Sequence, residues 1–287
     1  MLPEIDTRVP GVVEEEVRAI YLSMYPEGTR RAVSRVFSWA IRFFSGRFAD
    51  YQAIDARYHD FEHTLQGTLC LARLLRGRQA AKAAPEASAK MFELALLAML
   101  FHDTGYLKRK EDTEGTGAKY TPVHVGRSTV FAREFLGKQG YTEADIAAVQ
   151  HMISCTGVNA DLQGIPFQSE LERTLGFALA TADLLGQMAA DDYVDKLPIL
   201  YLEFAEAARF TNIKVGRFAE YHSAEELMRQ TPAFWETYVW PKLNQDFRKL
   251  YTFLNDPYPD GPNPYLQRIE KNLTRLRRRL TPDAVQK

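Results

Sequence analysis

Helix-start signals recur along the whole chain, and they constrain its fold more than any other feature of the sequence. Thr142 and Ser169 each precede an acidic residue by three positions, the spacing of a capping box that satisfies the first N–H groups of a helix. Thr121, Thr231 and Asn263 each stand directly before a proline, which suits the first position of a helix. No segment alternates apolar and polar residues as a half-buried strand would. The sequence therefore predicts an all-α fold.

Hydrophobic periodicity extends this prediction to a series of helices. They are expected at residues 13–25, 29–45, 50–76, 87–103, 122–137, 143–156, 169–190, 193–210, 223–230, 232–254 and 264–280. No low-complexity linker divides the chain, so we expect a single domain over residues 1–287.

Charge and composition limit the classes of partner. Thirty-six basic and 37 acidic side chains leave a net charge of −1, so no long-range field would gather nucleic acid or an anionic membrane. A small-molecule substrate is the better expectation, and a homo-oligomer is left open. Cys70 and Cys155 each lie in an apolar stretch and predict core side chains rather than a disulfide.

Two features predict a cytoplasmic protein without a membrane anchor. The acidic first twenty residues lack the basic start and the apolar run of a signal peptide. The longest uncharged apolar run, residues 94–101, is too short to cross a bilayer and predicts a buried helix.

Isolated polar groups in apolar surroundings are the strongest candidates for chemistry. His59 and His63 are four residues apart, a spacing that would place both on one face of a helix. His102 and Asp103 close a strongly apolar helix, and Asp183 is the only charged residue of a sixteen-residue apolar stretch. A buried carboxylate must be protonated, paired or bound to a metal. Each group also has a simpler interpretation, as a packed core residue or as a helix end that faces water.

In chain order these residues are His63, then His102 and Asp103, then Asp183. The set resembles the ligand pattern of the HD-domain superfamily of metal-dependent phosphohydrolases, which includes the cyclic-nucleotide phosphodiesterases and the HD-GYP proteins. The resemblance covers roughly residues 58–186, less than half of the chain. It implies an HD-domain helical bundle with its metal-binding core at about 50–210 and helical extensions at 1–49 and 211–287. It also implies one or two divalent metal ions, and the ligand types suit Mn, Fe, Co, Ni, Zn or Mg.

The same resemblance implies roles for further histidines. His124 and His151 would bind a second ion, with Asp103 bridging the two ions as a catalytic ligand. The segment from Tyr58 to His63 is similar to the Tyr-His-Asn-x-x-His segment of cyclic-nucleotide phosphodiesterases, which implies that His59 protonates the leaving oxygen. In HD-GYP proteins a glutamate at this position can bind a third metal, so a role for His59 as a ligand is the alternative. The sequence has aspartate where that family has asparagine, and it lacks the glycine-tyrosine-proline signature, which disfavours cyclic-di-GMP as the substrate.

The function implied is hydrolysis of a phosphoester by a metal-activated water, with a nucleotide or a cyclic nucleotide as the expected substrate. Lys108 and Arg127 lie close in sequence to the expected ligands and are candidates for binding phosphate, with a structural role as the alternative. Two other functions stay open: a di-iron oxygenase on the same fold, as in the inositol oxygenases, and a non-catalytic HD signalling module.

Overall fold

The computed structural model describes residues 4–210 and 221–281, and within these ranges it contains ten α-helices and no β-strand. The all-α prediction is confirmed. The helices are α1 (Pro10–Met24), α2 (Arg30–Phe44), α3 (Phe61–Ala80), α4 (Ala89–Phe101), α5 (His124–Lys138), α6 (Glu143–Ile153), α7 (Glu170–Met188), α8 (Tyr193–Phe210), α9 (Ala224–Phe234) and α10 (Pro264–Leu280). Short 3₁₀ helices at Thr104–Tyr106, Gly117–Tyr120 and Leu250–Leu254 and π-helical turns at Trp235–Val239 and Lys242–Asp246 complete these elements.

Most of the predicted helix starts are present. Thr142 forms a complete capping box with Asp145, and Ser169 and Ser223 each accept a hydrogen bond from the backbone three residues later. The prediction of a start at Thr231 is wrong, because α9 continues through this residue and its hydroxyl donates to the carbonyl of Leu227 at 2.9 Å.

The predicted helix at 50–76 begins later than expected. Asp60 caps α3 by accepting a hydrogen bond from the backbone N–H of His63 at 2.8 Å. The preceding residues are held in an extended segment, in which Tyr51 bridges to Arg109 and Ala53 bridges to Ser45. Residues 50–60 therefore form a loop, and the loop carries His59 outside the helix.

Three buried helices form the centre of the molecule. Every residue is buried from 63 to 75 in α3, from 94 to 101 in α4 and from 174 to 182 in α7. Gly186 allows α3 and α7 to approach closely, since a Cβ atom there would lie 2.8 Å from the backbone of Gln66. Polar side chains placed on these helices are therefore shielded from water.

Aromatic rings and the cysteines fill the surrounding core. Phe43 packs edge-to-face against Phe101, Phe131 and Phe135, which joins α2, α4 and α5. Cys70 and Cys155 are buried and form no disulfide, as predicted. Among the residues described, no helix has both the length and the apolar character that crossing a membrane requires.

Candidate metal centre

Four side-chain atoms from three helices converge at the end of α4. His63 Nε2 lies 3.3 Å from Asp103 Oδ2 and 3.2 Å from Asp183 Oδ1. His102 Nε2 lies 3.2 Å from Asp103 Oδ2 and 3.5 Å from Asp183 Oδ1. The structure thus brings together the four residues that the sequence presents in the order histidine, histidine-aspartate, aspartate.

The position of each ligand on its helix places its side chain at this cluster of four atoms. His63 lies in the first turn of α3, and His102 is the C-terminal cap of α4. The Nδ1 atom of His102 is 2.7 Å from the carbonyl of Met99, so this nitrogen donates to the backbone and Nε2 is directed to the cluster. Asp183 comes from the middle of α7, where that helix packs on α3.

The turn after α4 is held against α5 by a buried serine. Ser128 Oγ donates to the carbonyl of His102 at 2.5 Å and accepts from the N–H of Gly105 at 2.8 Å. Gly105 cannot carry a side chain here, because a Cβ atom would lie 2.0 Å from the carbonyl oxygen of His124. These contacts fix Asp103 between α4 and α5.

The converging atoms are buried but lack hydrogen bonds. His102 Nε2, Asp103 Oδ2 and Asp183 Oδ1 are inaccessible to solvent and have no hydrogen-bond partner of acceptable geometry. Buried polar groups normally have partners, and leaving them unsatisfied is costly. Imidazole and carboxylate atoms that face one another 3.2–3.5 Å apart are the arrangement expected of ligands around a cation. His63, His102 and Asp103 in particular form a compact group that could hold a metal ion.

Electrostatics within the cluster are strong. Burial opposes charge on His63, but the two carboxylates outweigh it and raise the pKa of His63 to about 9. The same balance raises the pKa of His102 well above its usual value. Burial likewise opposes charge on the two aspartates, while the imidazoles hold the pKa of Asp103 and the pKa of Asp183 below the ordinary range. The carboxylates and the imidazoles thus stabilise opposite charges on one another, and a metal ion that binds here would take the place of the imidazole protons.

Of the two histidines expected at a second ion, only His124 approaches the cluster. Its Nε2 atom lies 3.9 Å from Asp103 Oδ1, and its Nδ1 atom is 2.7 Å from the carbonyl of Thr121. Burial lowers the pKa of His124 despite the nearby carboxylate, which favours the neutral form that binds metals.

The place of His151 in the ligand set stays a prediction. Its Nδ1 atom lies 2.5 Å from Glu172 Oε1, and the residue does not line the cavity above the cluster. Glu172 is buried and also accepts a hydrogen bond from the N–H of Gln168, so its carboxylate is fixed and holds the His151 ring through Nδ1.

His59 lies beside the cluster in the loop before α3. Its Nδ1 atom is 2.6 Å from Glu203 Oε2, and Glu203 Oε1 accepts hydrogen bonds from the N–H groups of Arg57 and Tyr58. The His59 ring stacks on Tyr106 with centroids 4.6 Å apart, and Tyr106 stacks on His124 at 4.7 Å. Since Nδ1 is held by Glu203, Nε2 is the nitrogen left to act on a substrate.

The contacts of Lys108 and Arg127 favour the structural alternative over a role in substrate binding. Lys108 is buried, where its Nζ atom donates to the carbonyl of Gly115 at 2.6 Å and pairs with Asp55 at 2.9 Å. Arg127 donates to the carbonyls of Gly105 and Leu107. Neither residue lines the cavity, because both are used to hold the loop that follows Asp103.

Sequence comparison places the chain in a family. A family model described as Npun_R2479-like matches residues 109–255, just over half of the chain. The chain belongs to the Npun_R2479-like family. In this Npun_R2479-like chain the matched part includes Asp183 and Glu203, whereas His63 and His102 precede it. No curated protein matches the chain.

The Npun_R2479-like chain has a cavity of about 400 Å³ above the cluster. The cluster and His59 form its floor, and its walls come from α7, α8, α9, the turns after α9 and the loop after α6. Sequence reasoning missed Glu203 and Tyr106 at this site. The only signal for Glu203 is an acid within the apolar run from Ile199 to Ala205, and it is no stronger than that of many surface residues.

Proposed function

We propose that this chain is a metal-dependent phosphohydrolase with an HD-type centre formed by His63, His102, Asp103 and Asp183. The observation that supports the proposal is the convergence of two imidazole and two carboxylate atoms within 3.5 Å of their neighbours, three of which, His102 Nε2, Asp103 Oδ2 and Asp183 Oδ1, are buried without a hydrogen-bond partner. This donor set suits Mn, Fe, Co, Ni or Zn, and the carboxylates also suit Mg.

A divalent cation held by these residues would supply Lewis acidity, which activates water and draws negative charge from the phosphoryl oxygens. The four ligands line the cavity and would hold the cation there, and the apolar helices around them limit the access of bulk water. In hydrolysis the water oxygen forms a bond to phosphorus while the bond from phosphorus to the ester oxygen breaks. The products are an alcohol and a phosphate.

His59 is suited to protonate the departing ester oxygen. Its contact with Glu203 fixes the ring, favours a proton on Nδ1 and leaves Nε2 as the atom that transfers a proton. Glu203 acts here as a positioning residue, since it contacts His59 and the loop backbone rather than the cluster.

A second ion would need ligands beyond the four residues of the cluster. His124 Nε2 lies 3.9 Å from Asp103 Oδ1, so these two residues could share such an ion. The di-iron oxygenase alternative would use the same donor set, and iron content with O₂ consumption would support it.

The test is metal analysis followed by hydrolysis. We expect purified protein dialysed against Mn²⁺ to retain one or two ions per chain and to release phosphate from phosphoesters. The Asp183→Asn variant should lose both properties, whereas Asp191→Asn, which changes an exposed aspartate, should keep them. Wild-type protein that retains no divalent ion, or that retains one but hydrolyses no member of a broad phosphoester panel under anaerobic conditions, would contradict the proposal and favour a non-catalytic module.

A further inference from the structure

Away from the cluster the cavity wall is apolar. Helices α7, α8 and α9 provide its aliphatic side chains, which include Leu184, Met188, Leu197, Leu200 and Leu227. Aromatic rings such as Phe247 lie beside them. A molecule that reaches the cluster must therefore lie along hydrocarbon surface for most of its length.

Most hydroxyls of the wall are already engaged within the protein. Exceptions among its polar groups include the Tyr106 hydroxyl, which is buried without a hydrogen-bond partner, and the Asn159 amide. The hydroxyls of Ser154, Thr156 and Thr231 each donate to a backbone carbonyl three or four residues earlier. Tyr238 donates to the carbonyl of Val158 at 2.8 Å. The wall thus has few hydroxyl protons to offer to the edge of a nucleobase.

The one glutamine of the wall is committed in the same way. Gln187 accepts a hydrogen bond from the Tyr58 hydroxyl at 2.8 Å through its oxygen, and its nitrogen donates to the carbonyl of Asp183 at 3.1 Å. Recognition of a purine by an amide requires both ends of that amide. Gln187 could provide them only by breaking these two bonds.

Positive charge is scarce on the wall. Lys242 is the only lysine or arginine among the lining residues that the structure describes, and its Nζ atom pairs with Asp246 at 3.0 Å. Di- and triphosphate chains need several cationic or N–H donors, whereas a single phosphoryl group can be held at the cluster alone.

We infer that the substrate is a phosphomonoester of an apolar alcohol, with the phosphoryl group at the cluster and a hydrocarbon body along α7, α8 and α9. The inference rests on the proposed phosphohydrolase function and replaces a nucleoside by an alkyl or aryl group as the leaving alcohol. The wall selects this group by its apolar surface rather than by hydrogen bonds.

Binding of uncleavable phosphonates tests the inference. Titration calorimetry on Mn²⁺-loaded protein would compare butyl-, hexyl- and octylphosphonate with an adenosine phosphonate. We expect affinity to rise about two- to fourfold for each added methylene, the ratio that burial of one methylene group supplies. Octylphosphonate should bind at least about tenfold more tightly than the adenosine compound. An affinity that is independent of chain length, or a preference for the adenosine compound, would overturn the inference.

A pair of variants on α8 localises the effect. Leu200→Gln alters a half-buried residue of the wall and should remove most of the rise in affinity with alkyl length. Leu202→Gln, at a residue that is 60% exposed on the same helix, should keep this rise. If both variants keep the rise in affinity with alkyl length, the alkyl group does not lie along this wall and the inference fails. If affinity rises with alkyl length but the protein cleaves no ester, the proposed function is contradicted. If the protein cleaves esters but its affinity does not rise with alkyl length, this inference alone is contradicted.

Discussion

Asp103 and His59 have different roles in the proposed centre, because one is a buried ligand and the other lies at the cavity. Asp103 is buried and directs Oδ2 to His63 and His102 and Oδ1 to His124, so it can only bind and orient. His59 lies at the cavity and contacts Glu203 rather than the four-atom cluster. The two residues should therefore respond differently to the chemistry of the leaving group.

The leaving group distinguishes a proton donor from a structural residue at position 59. His59→Gln should lower kcat for an alkyl phosphate by about 10²–10⁴-fold, because the alkoxide must be protonated as it departs. With p-nitrophenyl phosphate, whose leaving group needs no proton, the decrease should be less than about tenfold. Steady-state kinetics with both esters provide the measurement, and His222→Gln, at an exposed histidine, serves as the matched control. Equal decreases for the two esters would mean that His59 does not donate the proton.

At the scale of elements, the close crossing of α3 and α7 sets the distance between His63 and Asp183. A Cβ atom at Gly186 would lie 2.8 Å from backbone atoms of Gln66 and Gly67, so Gly186→Ala forces the helices apart. We expect a loss of about 1–3 kcal/mol in the free energy of unfolding from overpacking. Since Asp183 is one turn away, affinity for Mn²⁺ should fall as well. Urea denaturation and calorimetry measure the two effects.

Gly126→Ala is the matched control for this substitution. Gly126 is an exposed glycine of α5 with no atom near the position of an added Cβ, so alanine there should stabilise the protein by about 0.5–1 kcal/mol. If Gly186→Ala were stabilising to the same degree, the close contact would not constrain the crossing.

The sequence predicted helices accurately where a local side chain, such as a cap, determines where the helix begins. The helix predicted at 193–210 matches α8, and that at 264–280 matches α10, whose cap Asn263 accepts two backbone hydrogen bonds. The start of α3 was missed because bridges to residues distant in sequence hold residues 51–53 extended. Pairings of this kind leave no periodic pattern in the segment itself.

The same limit applies to the candidate site. The apolar surroundings of His102, Asp103 and Asp183 in the sequence indicated burial. In the structure His102 and Asp103 are buried, Asp183 is half-buried with an inaccessible Oδ1 atom, and the three side chains meet. Whether a histidine on an ordinary amphipathic helix reaches the cluster depends on its partner. Glu172 holds His151 and Glu203 holds His59, although both glutamates are remote in sequence from the histidines they contact.

At the scale of the whole molecule, one continuous core connects α1 to α10, and the cluster lies within it. The ligands come from α3, from the end of α4 and from α7, which meet only in the folded chain. A cation bound by all four residues has no equivalent site in the unfolded chain. Binding is therefore coupled to the stability of the entire fold.

Chelation should lower the melting temperature of the folded protein. Free Mn²⁺ at 100 times its Kd would stabilise the fold by about 2.7 kcal/mol, because the ion binds the native state alone. For a chain of this size that corresponds to a rise in Tm of about 5–10 °C over protein in excess EDTA, measured by differential scanning calorimetry. Asp183→Asn should show almost none of this rise, and Asp191→Asn should show all of it, since only the first removes a ligand from the core. Equal Tm values for the wild-type protein in Mn²⁺ and in EDTA would mean that no ion joins the three helices.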